Sequence, residues 1–193
     1  APDGFVQETE RELAFLGLEP IARYENFFLF EGEPREVAWS AVVWKKVERV
    51  PVPSIGAAAK ALKPLARKWE LLPLVHRRRA SLIHEQLRAY KLAEVSFPTA
   101  LALPEGAAAF TMLEENELLW CRDFDRPDPL GRVVFQEDRE SAPSRAYLKL
   151  WESLCLRGEW PGTGDFCLDL GSCPGGWTWV LASLGARVLS VDR

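Results

Sequence analysis

The stretch Asp169-Leu170-Gly171-Ser172-Cys173-Pro174-Gly175-Gly176-Trp177-Thr178 decides the fold class of its surroundings. It begins inside the apolar run 166–170, and apolar residues at helical spacing follow it as far as Gly185. A second apolar run, 188–192, comes next and ends in Asp192. This order of strand, glycine loop, helix and strand predicts the first part of a Rossmann-like, doubly wound parallel α/β sheet.

The glycine loop is suited to a nucleotide-like cofactor. Glycines let the backbone approach a ligand closely, and the next helix offers unpaired amides. Asp192, about twenty residues further on, is placed to accept the ribose hydroxyls of an adenosine. NAD, FAD and S-adenosylmethionine all remain open on this pattern. A dinucleotide site has a second glycine where this chain has Cys173, and Pro174 has no amide to donate. S-adenosylmethionine therefore fits better, against the alternative of a tight turn that binds nothing.

An amphipathic helix is predicted ahead of the loop. Pro143-Ser144 is a favourable helix start, with Ser144 accepting a hydrogen bond from a first-turn amide. Lys149 points away from the apolar stripe of this helix, and a lysine in that position is usually just solvated. The stripe consists of Tyr147, Leu150, Trp151, Leu154 and Cys155.

Two of these stretches resemble one known family. Asp169–Thr178 resembles the D-L-G-x-x-P-G-G-[WF]-[ST] motif of FtsJ-like ribose 2′-O-methyltransferases, and Ser144–Leu150 resembles their S-R-[AS]-x-x-K-L helix. The likeness is strongest to the RlmM-type enzymes, which methylate a cytidine ribose in 23S ribosomal RNA and carry ferredoxin-like and THUMP domains ahead of the catalytic one. Cys173 and the α+β region ahead of the motif favour this subgroup. Detailed similarity covers only the stretch after about residue 143.

The resemblance implies roles for individual residues. Lys149 would be the first member of a Lys-Asp-Lys-Glu tetrad and would stabilise the negative charge of the attacking 2′-oxygen or act as base. Asp192 would hold the ribose of S-adenosylmethionine. The whole predicted cofactor set is Ser144, Gly171, Cys173, Pro174, Gly175, Gly176 and Asp192. Because the other tetrad members have no candidates here, we expect a fragment that is inactive alone in a methyl-transfer assay on unmodified ribosomal RNA.

The residues ahead of the motif predict a separate α+β region. We place an RNA-binding, ferredoxin-like or THUMP-like region at 1–125, a linker at 126–142 and the methyltransferase segment at 143–193. Predicted helices are 5–16, a stretch from Pro34 through Ser40, 55–62 and 78–90. Predicted strands are 18–24, 26–31, 99–103, 109–113 and 118–121.

Positive charge is concentrated in one part of this region. Between Lys45 and Lys91 twelve Lys or Arg face three Glu, a local charge of +9 in a chain of net charge −4, so the rest sums to −13. Such a stretch suits an RNA partner, although solvated faces of ordinary helices explain the count equally well. The candidate RNA-binding residues are Lys63, Arg67, Lys68, Arg77, Arg78 and Arg79.

Other features narrow the function further. The four cysteines form no C-x-x-C pair, so we expect packing residues and no metal. No signal peptide or membrane span is predicted, which favours a cytoplasmic protein. The rival functions are a non-catalytic RNA-binding or assembly module and a 2′-O-methyltransferase of transfer RNA or of a messenger cap.

Overall fold

The computed structural model describes all of residues 1–193. The chain divides into two compact units, Ala1–Lys91 with Leu103–Arg132, and Leu92–Ala102 with Val133–Arg193. These units divide the predicted regions differently. Residues 92–102 belong to the second unit, and the predicted linker is shared, with residues 126–132 in the first unit and 133–142 in the second.

The first unit is built around a four-stranded sheet in the order β3-β6-β5-β4, in which β4 and β5 are parallel and the other pairs antiparallel. A separate antiparallel hairpin pairs β1 with β2. The elements are α1 (Val6–Phe15), β1 (Ala22–Tyr24), β2 (Phe27–Leu29), β3 (Glu48–Pro51), α2 (Ile55–Leu62), β4 (Lys68–Leu71), α3 (Arg77–His84), β5 (Ala107–Glu114) and β6 (Glu117–Cys121).

The largest core lies between this sheet and the helices α2 and α3. Its main side chains are Leu62, Trp69, Ile83, Phe110 and Trp120, each at most 3% exposed. The Ser54 hydroxyl accepts a hydrogen bond from the Ala57 amide at 3.1 Å and so caps α2. This cap satisfies one of the amides that a helix start leaves unpaired.

Two predicted elements are wrong because other groups take their backbone hydrogen bonds. There is no helix after Pro34: the carboxylate of Glu12 accepts the amides of Ala38 and Trp39 at 2.7 and 2.8 Å. There is no strand at 99–103 either, since the Thr99 amide donates to Ser96 in a turn. The predicted helix 78–90 is shorter, because α3 ends at His84.

The segment before Arg132 is tied to the first unit by a buried carboxylate. Asp128, 1% exposed, accepts hydrogen bonds from the Leu130 amide at 2.9 Å and from both the amide and the guanidinium of Arg132. Arg132 also pairs with Glu70 at 3.0 Å. Burial, together with the neighbouring Asp128, raises the pKa of Tyr90 to about 12. This part of the predicted linker is therefore fixed by charged and buried groups.

The second unit contains the predicted strand, loop, helix and strand. Its elements are α4 (Tyr147–Arg157), β7 (Phe166–Leu170), α5 (Gly176–Ser183) and β8 (Arg187–Val191). Strands β7 and β8 are parallel, in a register that places Leu170 opposite Val191. The predicted order of elements is confirmed, and the carboxyl ends of both strands lie side by side next to the glycine loop.

The two faces of this small sheet differ in polarity and exposure. Successive strand residues alternate between faces, so Phe166, Leu168 and Leu170 share one face with Leu189 and Val191. These five side chains are between 46% and 70% exposed. On the other face Asp169 is only 4% exposed. The second unit thus leaves one apolar sheet face open. No helix of the chain is both long enough and apolar enough to cross a membrane.

Candidate cofactor site

Helix α4 begins later than predicted. Its first residue is Tyr147, and the turn before it is held by bonds from the amides of Tyr147, Leu148 and Lys149 to carbonyls three residues earlier. The prediction that Ser144 caps this helix is therefore wrong. The Ser144 hydroxyl oxygen is buried and has no hydrogen-bond partner.

The Ser144 hydroxyl lies against the start of helix α5. A Cβ added to Gly176 would be 2.6 Å from Ser144 Oγ and 3.2 Å from the Tyr147 amide nitrogen. Only glycine leaves room for the two chain segments to approach this closely. The indole of Trp177 donates to the Ala146 carbonyl at 3.0 Å, which adds a second link at the same place. The predicted residues Ser144 and Gly176 are thus neighbours.

The glycine loop is attached to the end of β8. The Gly171 amide donates to the Val191 carbonyl at 2.8 Å, and the Cys173 amide donates to Asp192 Oδ2 at 2.6 Å. Gly175, at φ +97°, adopts a left-handed conformation that favours glycine, and α5 starts at the next residue. Pro174 lies between Cys173 and Gly175 and is exposed. The predicted cofactor set is therefore gathered around one loop.

Asp192 already holds two backbone amides. Its Oδ2 accepts from Cys173, and its Oδ1 accepts from Arg193 at 2.8 Å. These bonds stabilise the ionised form and lower the pKa of Asp192, with the Cys173 bond the larger cause. Each carboxylate oxygen has a further lone pair, so the group can still accept hydrogen bonds from two hydroxyls.

Lys149 is exposed on α4, whereas Tyr147 and Trp151 on the same helix are fully buried. The predicted orientation of this lysine away from the apolar stripe is confirmed. Its ammonium forms neither an ion pair nor a hydrogen bond with another side chain. The catalytic role of Lys149 stays a prediction.

Three polar residues that were not predicted as site residues link the loop to the sheet. Thr178 Oγ1 lies 2.6 Å from Asp169 Oδ2 and 2.6 Å from Ser190 Oγ. They belong to α5, β7 and β8 respectively. One signal could have revealed them: Asp169 and Thr178 are the two ends of the quoted stretch, and both are polar in an apolar setting.

Two of the predicted RNA-binding residues are paired with other groups of the protein, and the other four are not. Arg77 forms an ion pair with Glu25, and Arg79 donates to the Val52 carbonyl at 3.1 Å. The other four carry no ion pair, and all but the half-buried Lys68 are exposed: Lys63, Arg67, Lys68 and Arg78. Three of these four lie close together in sequence between the end of α2 and the start of β4. No cluster of three or more His, Cys, Asp or Glu side chains is arranged to hold a metal ion.

Comparison with known proteins gives one consistent result. Residues 142–193 match the model of the FtsJ-like methyltransferase family. The ribosomal RNA large subunit methyltransferase M of Pseudomonas paraeruginosa is 35% identical over 146 residues, which is 70% of this chain and 36% of that protein. The protein of the same name from Pseudomonas fluorescens is 34% identical over 144 residues, 69% of this chain and 35% of that protein.

A shorter match carries higher identity. Ribosomal RNA large subunit methyltransferase M of Halorhodospira halophila is 46% identical over 56 residues, 28% of this chain and 16% of that protein. The chain thus spans about a third of the length of the curated relatives that it matches over most of its own residues. No solved structure matches the chain. The resemblance is confirmed for residues 142–193, which match the FtsJ-like methyltransferase family, and the chain is similar to ribosomal RNA large subunit methyltransferases M.

Proposed function

We propose that this chain contributes the S-adenosylmethionine site of a ribose 2′-O-methyltransferase that acts on large-subunit ribosomal RNA. The observation that carries this proposal is the loop between β7 and α5, with left-handed Gly175 next to the start of α5 and Asp192 held beside it. The relatives' names support ribosomal RNA as the substrate.

The residues around the loop fit this cofactor. The first-turn amides of α5 lie outside the helix's own hydrogen-bond ladder and suit the cofactor's carboxylate. The buried, unpaired Ser144 hydroxyl is a further donor at the same helix start. Asp192 retains lone pairs for ribose hydroxyls. When bound, S-adenosylmethionine supplies an electrophilic methyl group.

Lys149 is the proposed catalytic residue. The ribose hydroxyl loses its proton as its oxygen attacks, and a cation near that oxygen stabilises the developing charge. Lys149 is exposed and free of ion pairs, so its ammonium is available to an incoming substrate. Its helix begins against the first turn of α5, where Gly176 meets the Tyr147 amide.

We expect S-adenosylmethionine to bind to the chain, and Asp192→Ala to weaken this binding by about tenfold or more. The substitution removes the acceptor for the ribose and releases the Cys173 amide, and hydrogen bonds to a charged group are stronger than those between neutral groups. Isothermal titration calorimetry measures the Kd. The control is Glu140→Ala, an exposed acid in the same unit whose side chain has no partner. Binding by wild type and Asp192→Ala with equal affinity would refute the assignment.

The non-catalytic alternative, an RNA-binding or assembly module, is favoured by the free basic residues of the first unit. We expect replacement of Lys63, Arg67 and Lys68 by alanine to weaken RNA binding and to lower the slope of log K against log salt by about 2–3. Arg77→Ala should change the slope less than each of these three substitutions does on average, because Glu25 already neutralises this arginine. Filter binding to a ribosomal RNA fragment at several salt concentrations measures both.

The two functions then give different results. RNA binding with no measurable cofactor affinity would favour the module over the enzyme. A slope unchanged in the triple variant would show that this basic group does not contact phosphate.

A further inference from the structure

Thr178 joins the three elements around the glycine loop. Its hydroxyl is 2.6 Å from the carboxylate of Asp169 on β7 and 2.6 Å from the hydroxyl of Ser190 on β8. Asp169 is 4% exposed, so its carboxylate requires hydrogen bonds to offset the loss of water. Thr178 supplies one of them from the first turn of α5.

The direction of the hydrogen bonds in this group follows from the donors available. Asp169, as a carboxylate, only accepts, so the single Thr178 hydroxyl proton is directed to Asp169 Oδ2. Thr178 therefore accepts from Ser190, whose hydroxyl is the donor. The result is a directed chain from Ser190 through Thr178 to Asp169, and its last bond is a charge-assisted one.

The placement of the three residues relates them to the cofactor loop. Asp169 comes two residues before Gly171, Thr178 two residues after Gly176, and Ser190 two residues before Asp192. This series of hydrogen bonds thus connects β7, which leads into the loop, with α5, which follows the loop. It also includes β8, whose end holds the Cys173 amide. A change in any of these three residues would alter how β7, α5 and β8 are spaced where they hold the two ends of the loop.

We propose that Thr178 and Ser190 are positioning residues: through the buried Asp169 they hold the Gly171–Gly176 loop in its cofactor-binding shape without touching the cofactor. This inference rests on the proposed cofactor site. Its effect is preorganisation, because a loop already in its bound shape loses less freedom on binding. Thr178 is the central member, since it bonds to both of the others.

The test uses Thr178→Val, which keeps the shape of the side chain and removes its hydroxyl. We expect amide hydrogen exchange in residues 171–176 to be about tenfold faster without cofactor, and the Kd for S-adenosylmethionine to rise by about tenfold. Thr178→Ser restores the hydroxyl and should return both values close to those of wild type. Ser190→Ala leaves the bond to Asp169 intact and should give a smaller effect.

The matched control is Thr163→Val, at an exposed threonine of the same unit whose hydroxyl makes no hydrogen bond. Loop exchange in Thr178→Val equal to wild type, or a Thr178→Ser variant as fast as Thr178→Val, would overturn the inference. Should Thr178→Val fail to fold by circular dichroism, Ser190→Ala decides: unchanged loop exchange there would also overturn it. Absence of cofactor binding by wild type would instead count against the proposed function, because the exchange measurement needs no cofactor.

Discussion

Replacing Trp151 by alanine is expected to cost the second unit about 3–5 kcal/mol of its free energy of unfolding. This indole is fully buried, stacks on Phe135 with ring centroids 3.9 Å apart, and donates to the Thr99 carbonyl at 3.0 Å. Alanine would leave a large cavity and a carbonyl without its donor. The indole ties residues 92–102 to α4, so the loss should extend to that segment.

Urea unfolding followed by circular dichroism measures this loss. Leu156→Ala is the control on the same helix, where the side chain is 36% exposed and should cost much less. Trp151→Phe keeps an aromatic ring and removes the indole donor, so an intermediate loss is expected. A loss below about 1 kcal/mol for Trp151→Ala would show that this core contributes little to stability.

Gly131→Ala is expected to destabilise the first unit by about 2–5 kcal/mol. The residue has φ +71°, which disfavours a side chain, and an added Cβ would lie 2.0 Å from the Ala41 carbonyl oxygen. That oxygen belongs to the backbone and cannot rotate away. The chain around Asp128 and Arg132 would therefore have to move and weaken its buried hydrogen bonds.

A second glycine separates the two causes of this loss. Gly17 has a similar φ of +65° in the same unit, and nothing lies within 4 Å of its added Cβ. Gly17→Ala should therefore cost only the backbone term, about 1–2 kcal/mol. Thermal unfolding of the two variants gives the comparison. Equal losses would mean that the contact with Ala41 relaxes freely.

The second unit was largely predictable because its signals are local. The apolar runs and the helical spacing around Gly171–Gly176 predict β7, α5 and β8, and the carboxyl ends of parallel strands necessarily meet beside the loop. The start of α4 was missed because Ser144 faces Gly176, a contact between residues 32 positions apart. The role of Ser190 was also hidden, because its partner Thr178 lies 12 positions away on another element.

The first unit was less predictable because distant residues decide its backbone. Glu12 takes the amides of Ala38 and Trp39, which prevents the helix that Pro34 suggests. Strand β4 is short and begins with a charged residue, so only its pairing with β5 defines it. The count of basic residues could not show that Arg77 is paired with Glu25.

The open face of β7 and β8 has a consequence for the behaviour of the protein in solution. Five apolar side chains in contact with water form a surface that attracts other apolar surfaces, and two short parallel strands leave backbone groups unpaired at their outer edges. Salts that are excluded from protein surfaces strengthen such attraction. We therefore expect this face to favour self-association of the chain, and high concentrations of such salts to promote it.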